Sequence, residues 1–306
     1  MSKKILFMGT PDYATTIFKE LINSKYEIVG LFTQPDKPVG RKQILTAPHI
    51  KQYCIDENIN FPIFQPLKLK NNDEAVKQIK ELKPDFIIVA AYGQILPKEI
   101  LDIAPCINLH ASLLPKYRGA SPIQESLLND DIYTGVTSML MEEGLDSGDI
   151  LGLQYLRITS TMEVSEAFEK LSLIAAKLTI TTLDNFENIK PIKQNESQVS
   201  FCKKIKKEDG LVDFIDAKKL YLKYKAYSYW PGIFLESELK IKDIELNEEK
   251  SINNQGQILE IKDDFIIIGC EKGSLKIRTL QAPSKKAMKA IDYIRGQRLE
   301  INSILI

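Results

Sequence analysis

The chain has 306 residues, 44% of them hydrophobic and 27% charged, which is enough for two domains with cores of their own and excludes disorder as its ground state. Formal net charge is zero, −4 over residues 1–200 and +4 over 201–306, which excludes a bulk polybasic nucleic-acid binder and leaves any electrostatic footprint to the second half and to local clusters. No run of eighteen apolar residues occurs, and the amino terminus MSKKILFMGTPDYA lacks the long apolar segment and cleavage site of a signal peptide, so a cytoplasmic protein without a membrane partner is expected.

KKILFMG reads as a buried strand, and GTPDYATTIFKELINS as a turn and then a helix with Ile17, Phe18, Leu21 and Ile22 on its apolar face. Only Gly9 precedes that helix, so the GxGxxG of a dinucleotide fold is missing. EIVGLF is the second strand. It runs into a long loop over residues 34–48 that carries Lys37, Arg41 and Lys42 among three prolines, a length that belongs to functional or disordered loops. His49, just past Pro48 at a helix start, is read as structural or surface-lying.

HIKQYCIDENI is then a helix, FPIFQP a short strand, and NNDEAVKQIKEL an amphipathic helix with Ala75, Val76, Ile79 and Leu82 on one face. FIIVAA is a near-continuous apolar run, as in a strand buried on both faces, and the short piece from Cys106 to Leu109 delivers Asn108 and His110 to a strand end. SPIQESLLND follows as a helix, TGVTSMLM as a strand, EEGLDSGDIL as a turn holding Asp146 and Asp149, and SEAFEKLSLIAAKLTITTLDNF as a long closing helix. This alternation predicts an α/β domain over residues 1–190 with a doubly wound, mostly parallel, Rossmann-like sheet.

Residues 191–207 are polar and basic without a period and form the expected linker. Beyond them, residues 208–306 hold a short helix, the motif YWPG and several short strand candidates separated by turns, which predicts a smaller antiparallel β-barrel of OB-like type. Cys54, Cys106, Cys202 and Cys270 form no CxxC pair, so buried thiols are expected rather than a metal site or a disulfide framework.

Asn108 and His110 stand two apart, so on extended chain their side chains leave one face. An amide that donates to a developing oxyanion, beside an imidazole that handles a proton, suits acyl-type transfer to an amine. Asp146 could then orient the imidazole and stabilise its charged form. A lone histidine near a strand end is also a common structural residue, and GLDSGD is what a plain turn contains. On the residues alone both readings stand.

The stretch NLHASLLPKYRGASP, Asn108–Pro122, resembles the signature of the folate-dependent formyltransferases. That resemblance implies Asn108, His110 and Asp146 as the catalytic set. It implies a folate site at Ser112, Leu113, Leu114 and Pro115, walled further by Ala91, Tyr92 and Gly93. The loop FTQPDKPVGRK and the later segments YWPG and LQAPSKKAMKA are similar to those of members that act on methionyl-tRNA, so the likeness spans essentially the whole chain. It implies formyl transfer from 10-formyltetrahydrofolate, without a metal, to initiator methionyl-tRNA for translation initiation, by a monomer. Arg41, Lys42, Lys204, Lys206, Lys207, Lys285 and Lys286 are the expected RNA contacts. Alternatives of the same chemistry are a relative that formylates a sugar-nucleotide amine and a hydrolase of the folate donor. A different class is a non-catalytic RNA-binding protein on the same fold.

Overall fold

A computed structural model describes residues 2–40 and 42–305 of the chain. These fall into two compact units: one of residues up to Pro122, Tyr133–Arg157 and Phe168–Cys202, the other of Ile123–Ile132, Ile158–Ala167 and the chain from Lys203 onward.

The first unit opens with strand β1 (Lys4–Gly9), helix α1 (Asp12–Ile22) and strand β2 (Glu27–Phe32). A hairpin follows, β3 (Lys37–Val39) and β4 (Ile44–Thr46), then α2 (His49–Asp56) and β5 (Ile63–Phe64). Helix α3 (Asp73–Leu82) begins where Asn72 accepts from the Ala75 amide at 3.0 Å, carries Asp73 and Glu74 in its first turn, and ends at Lys83 in a left-handed conformation. Strand β6 (Phe86–Ala90), the single-turn α4 (Lys98–Leu101), β7 (Cys106–His110) and β8 (Arg118–Gly119) come next. After α5 (Pro122–Leu128) the chain forms β9 (Tyr133–Leu140), β10 (Ile150–Arg157), the long α6 (Val164–Asn185) and β11 (Phe201–Cys202).

The main sheet of this unit runs β10–β9–β7–β6–β1–β2–β5. Its pairings from β7 through β5 are parallel, and β9 and β10 are antiparallel additions. The expected doubly wound, mostly parallel sheet is therefore present. Ile5, Leu6, Phe7 and Met8 are all fully buried, which is why β1 reads as an unbroken apolar run: a parallel strand covered on both faces leaves no position for a polar side chain. Sequence order reverses between β1 and β6, and at such a reversal a crevice opens beyond the carboxyl ends of the strands. The register Gly9 to Ala90, Val89 to Asn108 and His110 to Thr137 brings the ends of β1, β6 and β7 to that edge.

Two elements differ from the sequence reading. The 34–48 loop contains the β3–β4 hairpin, whose strand residues are all exposed and so carry no apolar alternation. Strand β10 follows directly on the turn at Asp149, where the sequence shows no separate strand; it is the edge strand of the main sheet, bridged beyond β9 by Ile192 at Ile150, with Gln154 and Tyr155 exposed, so its pattern is diluted. The expected linker 191–207 also divides, since residues up to Cys202 belong to the first unit, where β11 pairs with β8, and those from Lys203 to the second.

The second unit is built on helix α7 (Ala217–Tyr227) and strands β12 (Ile233–Phe234), β13 (Lys240–Glu248), β14 (Ile258–Ile261), β15 (Ile266–Gly269), β16 (Ser274–Gln281) and β17 (Met288–Lys289), closing with α8 (Ala290–Gly296). The strands form an antiparallel sheet ordered β12–β13–β16–β15–β14, with β17 beside the second half of β16. Ile241, Ile244, Ile258, Ile266, Ile268, Leu275, Ile277 and Leu280 fill its core. The two excursions that precede Lys203 are held here by polar contacts: buried Lys225 donates to the Ser160 carbonyl at 3.2 Å, Tyr224 bonds Glu163 at 3.1 Å, and Lys218 pairs with Asp130 at 2.8 Å. Burial lowers the pKa of the Lys225 ammonium. Among the described residues no helix is long and apolar enough to cross a membrane.

Candidate active site

Strand β7 carries Asn108 and His110 to the sheet edge with their side chains on one face, as their spacing requires, and both are buried. The two meet at a third residue. Asp146, in the turn between β9 and β10, accepts from the Asn108 amide through Oδ1 at 3.4 Å and places Oδ2 3.7 Å from His110 Nδ1. The backbone N–H of Gly119 donates to that same Oδ2 at 2.8 Å. Asp146 itself is in the left-handed region with φ +49, a conformation rare for a residue bearing a side chain and concentrated at functional sites.

The imidazole is oriented from its far side. Nε2 lies 2.9 Å from the carbonyl oxygen of Tyr117. A carbonyl only accepts, so Nε2 carries the hydrogen and the lone pair of the neutral ring sits on Nδ1, facing Asp146. A proton taken up at Nδ1 would make an imidazolium bonded at both nitrogens, one to a carbonyl and one to a carboxylate. Among the described residues, Asp146 is the sole protein partner of the Asn108 amide, so its second hydrogen and its oxygen are left for a ligand. The arrangement offers one amide donor and one proton acceptor on alternate positions of a strand end, which suits addition of an amine to a carbonyl carbon.

The neighbouring turn is fastened to the sheet. Ser112 is fully buried, its hydroxyl donates to the Lys116 carbonyl at 2.6 Å, and its own carbonyl accepts from Thr137 Oγ1 at 2.6 Å. Thr137 Oγ1 in turn accepts from the Leu114 amide at 3.0 Å. Leu114 packs with Met139 and Ile150, and its bond to Pro115 is cis. Leu113 and Pro115 stay half-buried. After β6, Ala91 and Gly93 are exposed with φ of +45 and +82, whereas the Tyr92 ring turns into the core with Met8, Phe32 and Leu69. The Tyr92 carbonyl accepts from Thr10 Oγ1 and Gln34 Nε2 at 3.2 and 3.0 Å, tying this loop to the end of β1 and of β2. Of the expected ligand-lining set, Leu113, Pro115, Ala91 and Gly93 thus keep surface to offer, and Ser112, Leu114 and Tyr92 serve the frame.

Sequence reasoning missed the frame on the other side. The segment after α6 returns over β8: the Ser200 carbonyl accepts from the Arg118 amide at 2.9 Å, its hydroxyl accepts from the Tyr117 amide at 3.0 Å, and Gln194 and Glu196 hold the buried Arg118 guanidinium. Tyr13, from α1, reaches the Leu109 carbonyl of β7 at 3.2 Å, and burial raises its phenol well above the ordinary range. His49 contacts Thr15 and Asp12 on α1 and takes no part in the site, as expected.

The expected RNA contacts are scattered. Lys42 is exposed near the hairpin turn, and Arg41 lies outside the described residues. Lys204, Lys206 and Lys207 are exposed at the start of the second unit, and Lys285 and Lys286 between β16 and β17. Among the described residues no group of three or more His, Cys, Asp or Glu side chains is placed to hold a metal ion. Cys54, Cys106 and Cys270 are buried free thiols, pushed up by burial to about 11, 12 and 12, and Cys202 is buried as well.

Residues 3–183 match the family described as "Formyl transferase" and residues 204–298 the one described as "Formyl transferase, C-terminal domain". The chain is 57% identical over 298 residues to a protein named methionyl-tRNA formyltransferase from a Nitratiruptor species, covering 97% of this chain and 98% of that one. It is 54% identical over 303 residues to a protein of the same name from Campylobacter lari, covering 99% of each. In fold it is similar to an N-formyltransferase from Helicobacter canadensis in complex with folinic acid and dTDP-3-aminofucose, at TM-score 0.68 and 16% identity over 90% of this chain and 99% of that one. HypX from Aquifex aeolicus in complex with tetrahydrofolic acid gives TM-score 0.65 at 17% identity over 96% of this chain, which spans about half of the HypX chain (47%).

Proposed function

Because the chain belongs to the formyl transferase family, we propose that it moves a formyl group from 10-formyltetrahydrofolate to the α-amino group of methionine on initiator methionyl-tRNA. The observation that carries the reading is the meeting of Asn108, His110 and Asp146 at one carboxylate.

In this reaction the Asn108 amide donates its free hydrogen to the formyl oxygen as that oxygen gains negative charge. His110, with its hydrogen held on Nε2 by Tyr117, accepts a proton at Nδ1 from the attacking amine. Asp146 stabilises the imidazolium so formed, and the same Nδ1 returns the proton to the departing folate nitrogen. No covalent acyl-enzyme is needed, so Cys106 and Ser112 keep structural roles; the Cys106 thiol is buried against the Ala104 carbonyl.

The folate donor is assigned to the half-buried Leu113 and Pro115 and to the exposed, left-handed backbone at Ala91 and Gly93, where chain without bulky side chains lets a flat ring approach. Arg41 and Lys42 of the 34–48 segment, with Lys204, Lys206, Lys207, Lys285 and Lys286, are assigned to the RNA backbone, which positive side chains bind by charge. Catalysis is assigned to the unit that holds Asn108, His110 and Asp146, and RNA binding to the unit that takes the chain from Lys203 onward, the expected linker 191–207 being shared between them; the protein acts in the cytoplasm as a monomer.

The test is formyl transfer from 10-formyltetrahydrofolate to methionine-charged initiator tRNA, with elongator methionyl-tRNA and an RNA-free sample alongside. Formylmethionine on initiator tRNA alone is the expected result. Release of formate that ignores RNA would overturn the acceptor and leave a folate hydrolase.

A further inference from the structure

We propose that Gln194 is a positioning residue of the reaction, which acts by clamping the two loops that fix Asp146. It lies in the polar stretch that reads as linker, yet it is nine-tenths buried. A primary amide has two hydrogens, and both are used on one loop: Nε2 donates to the carbonyl of Asp146 and to that of Gly148, each at 2.8 Å. Its oxygen accepts from Arg118 Nε at 3.0 Å. Arg118 is the residue before Gly119, whose N–H holds the Asp146 carboxylate. One side chain therefore joins the loop that carries Asp146 to the loop that carries its backbone donor.

The bracket is stiff at its other end. The Arg118 guanidinium, itself buried, is also held by Glu196 Oε1 at 2.8 Å, so Gln194 is oriented by a charged group that has a second partner of its own. The loop it holds is the one in which Asp146 adopts its left-handed backbone. Without the amide, the buried Gly148 carbonyl and the half-buried Asp146 carbonyl both lose this donor, and that turn has no covalent reason to keep its shape. The carboxylate would then leave Nδ1 of His110, and the loss would fall on the chemical step rather than on binding of RNA.

This rests on the reading of Asp146 as part of the reaction, and the experiment separates the two. kcat and KM are measured for the wild type, Gln194→Met, Asp146→Ala and the double variant, on whichever formyl-consuming activity the wild type shows; failure on methionyl-tRNA would count against the acceptor and not against the clamp. We expect kcat of Gln194→Met to fall about 10- to 100-fold with KM for the acceptor within about twofold, and the same substitution to cost less than about twofold once Asp146 is alanine. An equal loss in both backgrounds, or a folded Gln194→Met enzyme with wild-type kcat, would overturn the proposal. Gln194→Glu provides a second readout if the methionine variant does not fold. It keeps the acceptor for Arg118 and regains a donor only when protonated, so its kcat relative to wild type should rise as pH falls. A flat ratio would also overturn the clamp.

Discussion

The thiol of Cys202 donates at 3.3 Å to the carbonyl oxygen of Tyr117, the atom that also receives the Nε2 hydrogen of His110 at 2.9 Å. Two residues 92 positions apart in sequence thus share one acceptor. The carbonyl is held between strand β7 and the returning segment, and the tautomer of the ring is set by a backbone atom that cannot titrate.

His110→Ala and Asp146→Ala should each lower single-turnover formyl transfer by about two to three decades, the usual cost of removing one preorganised polar group from such a site. Both variants should keep the wild-type circular dichroism, because neither side chain supports the apolar core. Folded protein with near wild-type turnover would remove them from the reaction.

Gly119→Ala should disable the site through the backbone. Gly119 has φ +127, and a Cβ built there would overlap the Cys202 carbonyl oxygen, so the β8–β11 pairing must open. A cost of about 1–3 kcal/mol from the dihedral alone, added to that displacement, should appear as a lower urea midpoint together with lost turnover. An active variant of unchanged midpoint would mean that the chain adapts elsewhere.

Changing Lys204, Lys206 and Lys207 together to glutamine should flatten the dependence of tRNA affinity on salt. Each neutralised phosphate adds about 0.7–0.9 to the slope of log K against log salt, so removing all three charges should lower that slope by about 2. The measurement is filter binding from low to physiological salt, and identical slopes would take this segment out of the RNA surface.

Acid should loosen the base of the hairpin. Hydrogen bonds from Gln65, and then from Lys51, hold the Asp36 carboxyl below its ordinary value of 3.8. A carboxylate with a lowered folded value contributes stability that is complete above the ordinary value and is lost as pH falls through the lowered one. The difference in urea midpoint between wild type and Asp36→Asn should therefore be full at neutral pH and vanish at strongly acid pH. A difference independent of pH would assign it to shape rather than charge.

The parts of the site that were legible in the sequence are the local ones. Asn108 and His110 share a face because a strand has period two, and the apolar run of β6 shows burial on both sides. Asp146 could be offered from the residues as a partner for the imidazole, but only the formyltransferase resemblance singled it out, since an acid in a glycine-rich turn has no strong signal of its own. Gln194, Ser200 and Cys202 were illegible for a different reason. They act on residues 46 to 85 positions away, through single polar atoms, inside a stretch whose composition is that of a solvated connector. Tyr92 shows the converse limit, because the sequence places its loop at the edge of the sheet but cannot say that the ring turns inward.

The excursions Ile123–Ile132 and Ile158–Ala167 make the second unit discontinuous in the chain. A fragment begun at Lys203 would carry Lys225 without the Ser160 carbonyl, Tyr224 without Glu163 and Lys218 without Asp130. Expressing it alone for RNA titrations therefore strips the Lys225 ammonium of its carbonyl acceptor. Transplants that bring the two short segments along with the carboxy-terminal stretch are the ones whose parts remain mutually matched.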